Sequence, residues 1–435
     1  MKHILRGLAV SAILSLPVFA QFQETEPERP PMKVLATNSM PAVRPAPINA
    51  PKMTPTPAGV SEQQHGPSAV SASSSSVSPV SASTDTSFRA AASTGLRLMS
   101  FAQIKNKIAE AKREMQTKPV STGSSEAVVP TEFVRIAFLD SKTQKVDFVV
   151  MSKDAFLDVD NDKQTVSQSG RRLTVHTIRG NGVNTPLSIV DDSGTAHMPL
   201  IAQYPVIRGG QYTETAFYVS THNGLVTSDV VNAGRYYVRN VIEIARDRLK
   251  AKGVTIQPTV ADIAERLATV EHVDHMRFKT EYQPNIYNDI FTLYALNEGQ
   301  TYRYSVSSAG AGGMVQMIPA TYRLIRSMYP NVGLMPDFVE GMRDHVNATQ
   351  AMLLYMQMTW NDLSSSPTIN DAMANKIATQ PQLMAAGYNS NPAKLAGYIN
   401  RGGGSWTNLI PRETQMYLQI YDSLDKNVPM APRSR

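Results

Sequence analysis

The hydrophobic period of this chain changes twice along its length, and each change bounds what the segment can fold into. Residues 21–128 have almost no apolar period. "EPERPPMKVLATNSMPAVRPAPINAPKMTPTPAG" is proline-rich and "VSASSSSVSPVSASTDTS" is serine-rich. Such stretches bury too little apolar surface to offset chain entropy, so they read as a disordered tether. The proline part is expected to be extended and the serine part flexible. Inside it, "GLRLMSFAQIKNKIAEAKREMQ" (residues 95–116) repeats Leu98, Phe101, Ile104, Ile108 and Ala111 at three to four residues. That spacing predicts an amphipathic helix, expected to stand alone on the surface, with docking on the later domains or on a partner as the alternative.

From about residue 130 the period becomes two. "FVRIAFLD" and "KVDFVVM" read as strands joined by a hairpin at "SKTQ", and "RLTVHTI", "PLSIVDD" and "TAFYVST" continue the pattern. Residues 130–225 are therefore expected to form a β-rich accessory domain. After residue 228 the period lengthens to that of helices. "SDVVNAGRYYVRNVIEIARDRLKAKG" opens at a Ser228 or Asp229 cap and closes at Gly253, and the next helix is expected to start near Thr259 with Asp262 three residues on. Residues 229–430 thus form a helical domain, and the fold class is multi-domain α+β.

The first residues belong to export rather than to the fold. Lys2 and Arg6 precede an apolar run from Gly7 to Ala20, the length of a secretory signal and too short for a spanning helix. Cleavage is expected after Ala20, with an uncleaved inner-membrane anchor as the alternative; either way the rest of the chain is expected to be exported, and no stable span follows cleavage. There is no cysteine, which excludes disulfides and thiolate metal sites. The net charge of +6 suits an anionic polymer, but no dense Lys/Arg run with interleaved aromatics points to nucleic acid.

Three segments carry residues capable of chemistry. "DVDND", Asp158 to Asp162, begins like a calcium loop, yet Lys163 and Ser169 stand where such a loop needs Gly and Glu, so a polar turn is expected. "VEHVDH" would place Glu271, Asp274 and His275 on one helix face. It lacks the paired histidines of a zinc protease, and a polar helix face with local ion pairs is expected instead of a metal site. The third segment, "ALNEGQTYRYSVSSAGAGGMVQMIPATY", sets a lone acid, Glu298, before a neutral loop; the next acid is Asp337. Ser307 to Gly313 have minimal side chains, which lets backbone approach a polar ligand.

This third segment resembles the catalytic motif of the soluble lytic transglycosylase family. Glu298 stands twelve residues before Gly310-Ala311-Gly312-Gly313-Met314-Val315-Gln316, with Ile318-Pro319-Ala320-Thr321 following and Ser307 at the family's serine position. Gly387-Tyr388-Asn389-Ser390-Asn391-Pro392 is similar to the family's second motif, and Glu413-Thr414-Gln415-Met416-Tyr417 matches its third. "DHVNATQAMLLYM" resembles the helix between them. The likeness covers about residues 285–425; Gly299 and Asn391 depart from the family pattern.

The resemblance implies a lysozyme-like catalytic domain acting on peptidoglycan strands, with no cofactor and no metal. Glu298 would serve first as acid and then as base in forming a 1,6-anhydro-muramic end. Because the nucleophile is the sugar's own hydroxyl, no second carboxylate is required. The acid step favours a low-polarity setting, so Arg303 is expected to point away. Ser307, Gln316, Tyr388, Asn389 and Glu413 would contact or line the glycan site. Trp406 reads either as a sugar platform or as local packing. A lysozyme-type hydrolase and a non-catalytic glycan-binding module are the alternatives. The tether or the β-rich part would meet a protein of the envelope machinery.

Overall fold

A computed structural model describes residues 96, 99–118, 120 and 131–434. The signal segment (1–20) and most of the expected tether (21–128) lie outside the described residues. Among these, the fold is mixed α+β, with seven strands and thirteen α-helices.

The first helix, α1 (Phe101–Thr117), begins at a capping box in which Ser100 and Gln103 exchange side-chain and backbone hydrogen bonds. It is not a lone surface helix. Ile104, Ile108, Ala111 and Met115 are buried in a cluster with Ala137, Phe148, Leu200, Ile201, Val219, Val230 and Ala295. Burial of Ile104, Ile108 and Met115 contributes about 1.5–3 kcal/mol each, so the predicted stripe is what docks the helix. The buried Arg135 guanidinium donates to the Met115 carbonyl and ties the helix end to the sheet.

Strands β1 (Phe133–Leu139) and β2 (Val146–Ser152) form the expected hairpin, followed by the short α2 (Lys153–Leu157). β3 (Lys163–Val166), β4 (Arg172–Thr177), β5 (Leu187–Asp191), β6 (Ala196–Arg208) and β7 (Gln211–Tyr218) complete one antiparallel sheet. The order is β2-β1-β6-β5-β4-β3, with β7 on β6. The turn after β3 reaches back to β2, where Gln168 N donates to the Phe148 carbonyl at 2.8 Å. The sheet is therefore nearly closed into a barrel. β6 and β7 turn at Gly209 and Gly210, both at positive φ, as a two-residue hairpin requires. Asp158 folds into a polar turn: its carboxylate accepts from Asp160 N (2.9 Å) and Asn161 Nδ2 (3.0 Å).

The helices follow as α3 (Ser228–Ala251), α4 (Pro258–Val270), α5 (His275–Thr280), α6 (Gln283–Asn297), α7 (Pro319–Met328), α8 (Phe338–Arg343), α9 (His345–Ser364), α10 (Pro367–Ala374), α11 (Gln380–Asn389), α12 (Leu395–Gly402) and α13 (Arg412–Asn427). Two expected starts shift. Thr227, not Ser228 or Asp229, caps α3 through its hydroxyl, and α4 begins with Pro258 in its first turn and no side-chain cap. α3 and α6 cross so closely that a Cβ on Gly234 would lie 1.8 Å from the Phe291 carbonyl oxygen. Strands and helices share one hydrophobic cluster, which runs from Val134, Phe138 and Tyr204 to Tyr237, Phe291, Leu353 and Leu424. No helix among the described residues is long and apolar enough to cross a membrane.

Candidate functional site

Glu298 stands at the end of α6, and its backbone turns there with φ +45° and ψ −125°. That region is costly for any residue with a Cβ, and surrounding contacts must hold it. They do. Asn297 accepts from Val219 N (2.9 Å) and donates to Val219 O (2.8 Å), so the residue just after β7 grips the one before the acid. The Thr301 hydroxyl donates to the Glu298 carbonyl at 2.8 Å. His345 Nε2 donates to the Thr301 carbonyl at 2.8 Å, and Tyr237 OH meets His345 Nδ1 at 3.0 Å.

The Glu298 side chain is 25% exposed. Its one ion-pair partner among the described residues is Lys105 of α1, whose Nζ donates to Oε1. No sequence signal pointed to this cation, because a pairing across 193 residues leaves no local pattern. Arg303 does turn away and pairs with Glu214 of β7 at 3.3 Å.

The small-residue loop is a tight three-segment β tongue, bridged at Val306–Gly312 and Gly312–Met317. Gly313 is required in it: φ is +68° and a Cβ would fall 2.4 Å from the Met342 carbonyl oxygen. Ser307 braces the turn, its hydroxyl accepting from Ala311 N at 3.0 Å. Gln316, also at positive φ (46°), donates through Nε2 to the Gly313 carbonyl at 2.8 Å. Part of the hydrogen-bonding capacity of these two residues thus shapes the loop itself.

The three sequence motifs meet. Tyr388 OH donates to the Val315 carbonyl at 2.7 Å, joining α11 to the tongue. The Asn389 Oδ1 accepts from Thr414 Oγ1 at 2.8 Å, joining α11 to α13. Glu413 is exposed in the first turn of α13. Tyr417 is buried, one turn further on, and donates to Glu271 Oε1 at 2.6 Å.

Glu271 corrects the reading of "VEHVDH". The segment is not one helix face, because α4 ends at Val270 and Asp274 caps α5, accepting from Met276 N and Arg277 N. Burial pushes the Glu271 carboxyl up to about 8, and the charge of Glu413 adds to this. His272 turns inward and donates from Nε2 to the Met314 carbonyl at 2.8 Å; burial lowers its imidazole to about 3. No group of three or more His, Asp or Glu among the described residues is arranged to hold a metal ion.

Trp406 is local packing, 1% exposed, with Nε1 donating to the Ile377 carbonyl at 3.2 Å. A cavity of about 280 Å³ opens elsewhere, between α3 and the C-terminal residues Pro429–Ala431, and none of the candidate residues lines it. Comparison with known proteins adds no further constraint: no family model, no curated protein and no solved structure matches the chain.

Proposed function

We propose that this chain is a peptidoglycan lytic transglycosylase, with Glu298 as its single acid and base and a lysozyme-like arrangement of α4 to α13. The observation that carries this reading is the meeting of the three motif segments. The Tyr388–Val315 and Asn389–Thr414 hydrogen bonds join the tongue, α11 and α13, while Glu298 and the tongue are parts of one motif. The strained backbone at Glu298 and Gln316 supports it, since such strain concentrates at functional positions.

The chemistry balances without water. Glu298 donates its proton to the glycosidic oxygen as the bond to the muramic carbon C1 breaks. The ionised glutamate then takes the proton of that sugar's C6 hydroxyl, whose oxygen closes on C1. The glycan leaves with a 1,6-anhydro end and the glutamate regains its proton. Water needs no activation, so one carboxylate is enough. Tyr388, Asn389, Ser307, Gln316 and Glu413 would line or shape the strand-binding site, at an exported, periplasmic location.

The test is mass spectrometry of muropeptides released from purified peptidoglycan by the full chain and by Glu298→Gln. Anhydro ends made only by the unsubstituted chain support the proposal. New reducing ends assign a hydrolase. Strand binding without release assigns a binding module.

A further inference from the structure

We infer that α1 is an autoinhibitory latch, with Lys105 holding the site closed until the helix moves. This rests on the reading of Glu298 as the acid. The geometry is specific. α1 lies along the end of α6: Ala295 is buried in the cluster of Ile104 and Ile108, and Phe101 and Leu296 pack against the same cluster. The helix thereby sets Lys105 Nζ on Glu298 Oε1.

A general acid needs its carboxyl oxygen within hydrogen-bond reach of the leaving oxygen, and must itself donate there. Lys105 puts a donor against that oxygen, so the glutamate is held as an acceptor. A glycan oxygen and the ammonium cannot both take the same place on Oε1. The pair also differs from a buried structural bridge, since Lys105 is 36% exposed and Glu298 25%. Such a pair is weak enough to open. The rest of α1 holds the helix to the sheet: Lys112 sits over the Phe217 ring at 5.5 Å, and Arg135 secures the far end at Met115. Separating the helix therefore needs loss of the Lys105 contact and of the buried face of Ile104, Ile108, Ala111 and Met115, so a protein that takes up that apolar face would favour it.

The experiment uses the full chain and insoluble peptidoglycan. Lys105→Gln is expected to speed muropeptide release about three- to fivefold, the scale of one partly exposed ion pair. Because the chain has no cysteine, Lys112→Cys with Phe217→Cys places a single pair across the helix–sheet contact. Bridging that pair with a reductant-cleavable bis-maleimide is expected to lower release to the Glu298→Gln background. Cleaving the linker should restore it. Release by Lys105→Gln at or below the wild-type rate overturns the latch, as does a bridged variant as active as the unbridged one. If those results come with Glu298→Gln inactive, the latch fails and the reading of Glu298 stands. If Glu298→Gln releases muropeptides as fast as wild type, the reading of Glu298 fails and the latch falls with it.

Discussion

Asn297 spans both backbone polar groups of Val219, accepting at 2.9 Å and donating at 2.8 Å. The residue before the candidate acid is thus held as if by an extra rung of the sheet. Asn297→Ala would leave both Val219 groups to find other partners and should destabilise the chain by about 2 kcal/mol in urea unfolding. Muropeptide release should fall by roughly tenfold or more, because the Glu298 backbone would no longer be fixed. Asn297→Asp sets a carboxylate oxygen against the Val219 and Leu293 carbonyls in place of the donor, and should cost at least as much as Asn297→Ala in both measurements.

Two glycines of the tongue should separate under substitution. At Gly310, φ is +77° and the nearest atoms to a new Cβ are Pro319 ring carbons at 3.9 Å. Gly310→Ala should cost about 1 kcal/mol, the left-handed backbone penalty alone. At Gly313 the Met342 carbonyl must also move, so Gly313→Ala should cost about 2 kcal/mol more. Paired thermal melts measure the difference, and equal melting temperatures would contradict the geometry.

Tyr388→Phe removes the hydroxyl that reaches the Val315 carbonyl and keeps the ring against Tyr355, 5.8 Å away between centroids. The loss should be about 1 kcal/mol of stability. Thr414→Val deletes the donor to Asn389 and should cost a similar amount, about 1 kcal/mol. Under the proposed function both variants should slow glycan release, because each loosens a joint between motif segments. A wild-type rate for both variants would detach those joints from activity.

Stability should depend on pH in two opposed ways. His222 and His345 are buried and His272 is partly buried, and desolvation lowers the three imidazoles from 6.5 to about 3, 4 and 3 respectively. As pH falls below 6.5, the unfolded chain takes up protons that the folded histidines refuse, so stability drops. Glu271 runs the other way, raised from 4.5 to about 8. Between those values the folded carboxyl holds a proton that the unfolded chain has released, so its contribution falls as pH rises. From these four groups stability should peak at about pH 6.5. Glu271→Gln should remove the decline between the peak and pH 8, and urea midpoints across that range check it.

Much of the fold was legible because local pattern and final burial agree. β1, β2, β4, β5 and β7 alternate or run apolar as read. β6 went unread although it is the longest strand, because Pro199 and Pro205 interrupt "AHMPLIAQYPVIR". Pro199 pairs with Phe138 beside an irregularity in β1, and Pro205 lies opposite Thr215 of β7. β3 is short and mostly polar, so no period marks it. At the candidate site, the motif spacing anticipated residues that the fold does join: Tyr388 to the tongue, and Asn389 to Thr414. Lys105 and Asn297 were invisible because their partners lie in distant elements. Glu271 looked like a solvated residue because burial by α13 is a tertiary event.

The cluster shared by strands and helices has a practical outcome for anyone cutting the chain. A fragment starting at residue 229 would strip Val230 and Ala295 of Ala137, Phe148, Leu200 and Ile201, the sheet residues buried in the same cluster, and lay that face open to water. It would also remove Val219, the anchor of Asn297. Expression boundaries for a stable piece belong ahead of Leu96, which packs in the cluster with Ile104, so that helix, sheet and bundle travel together.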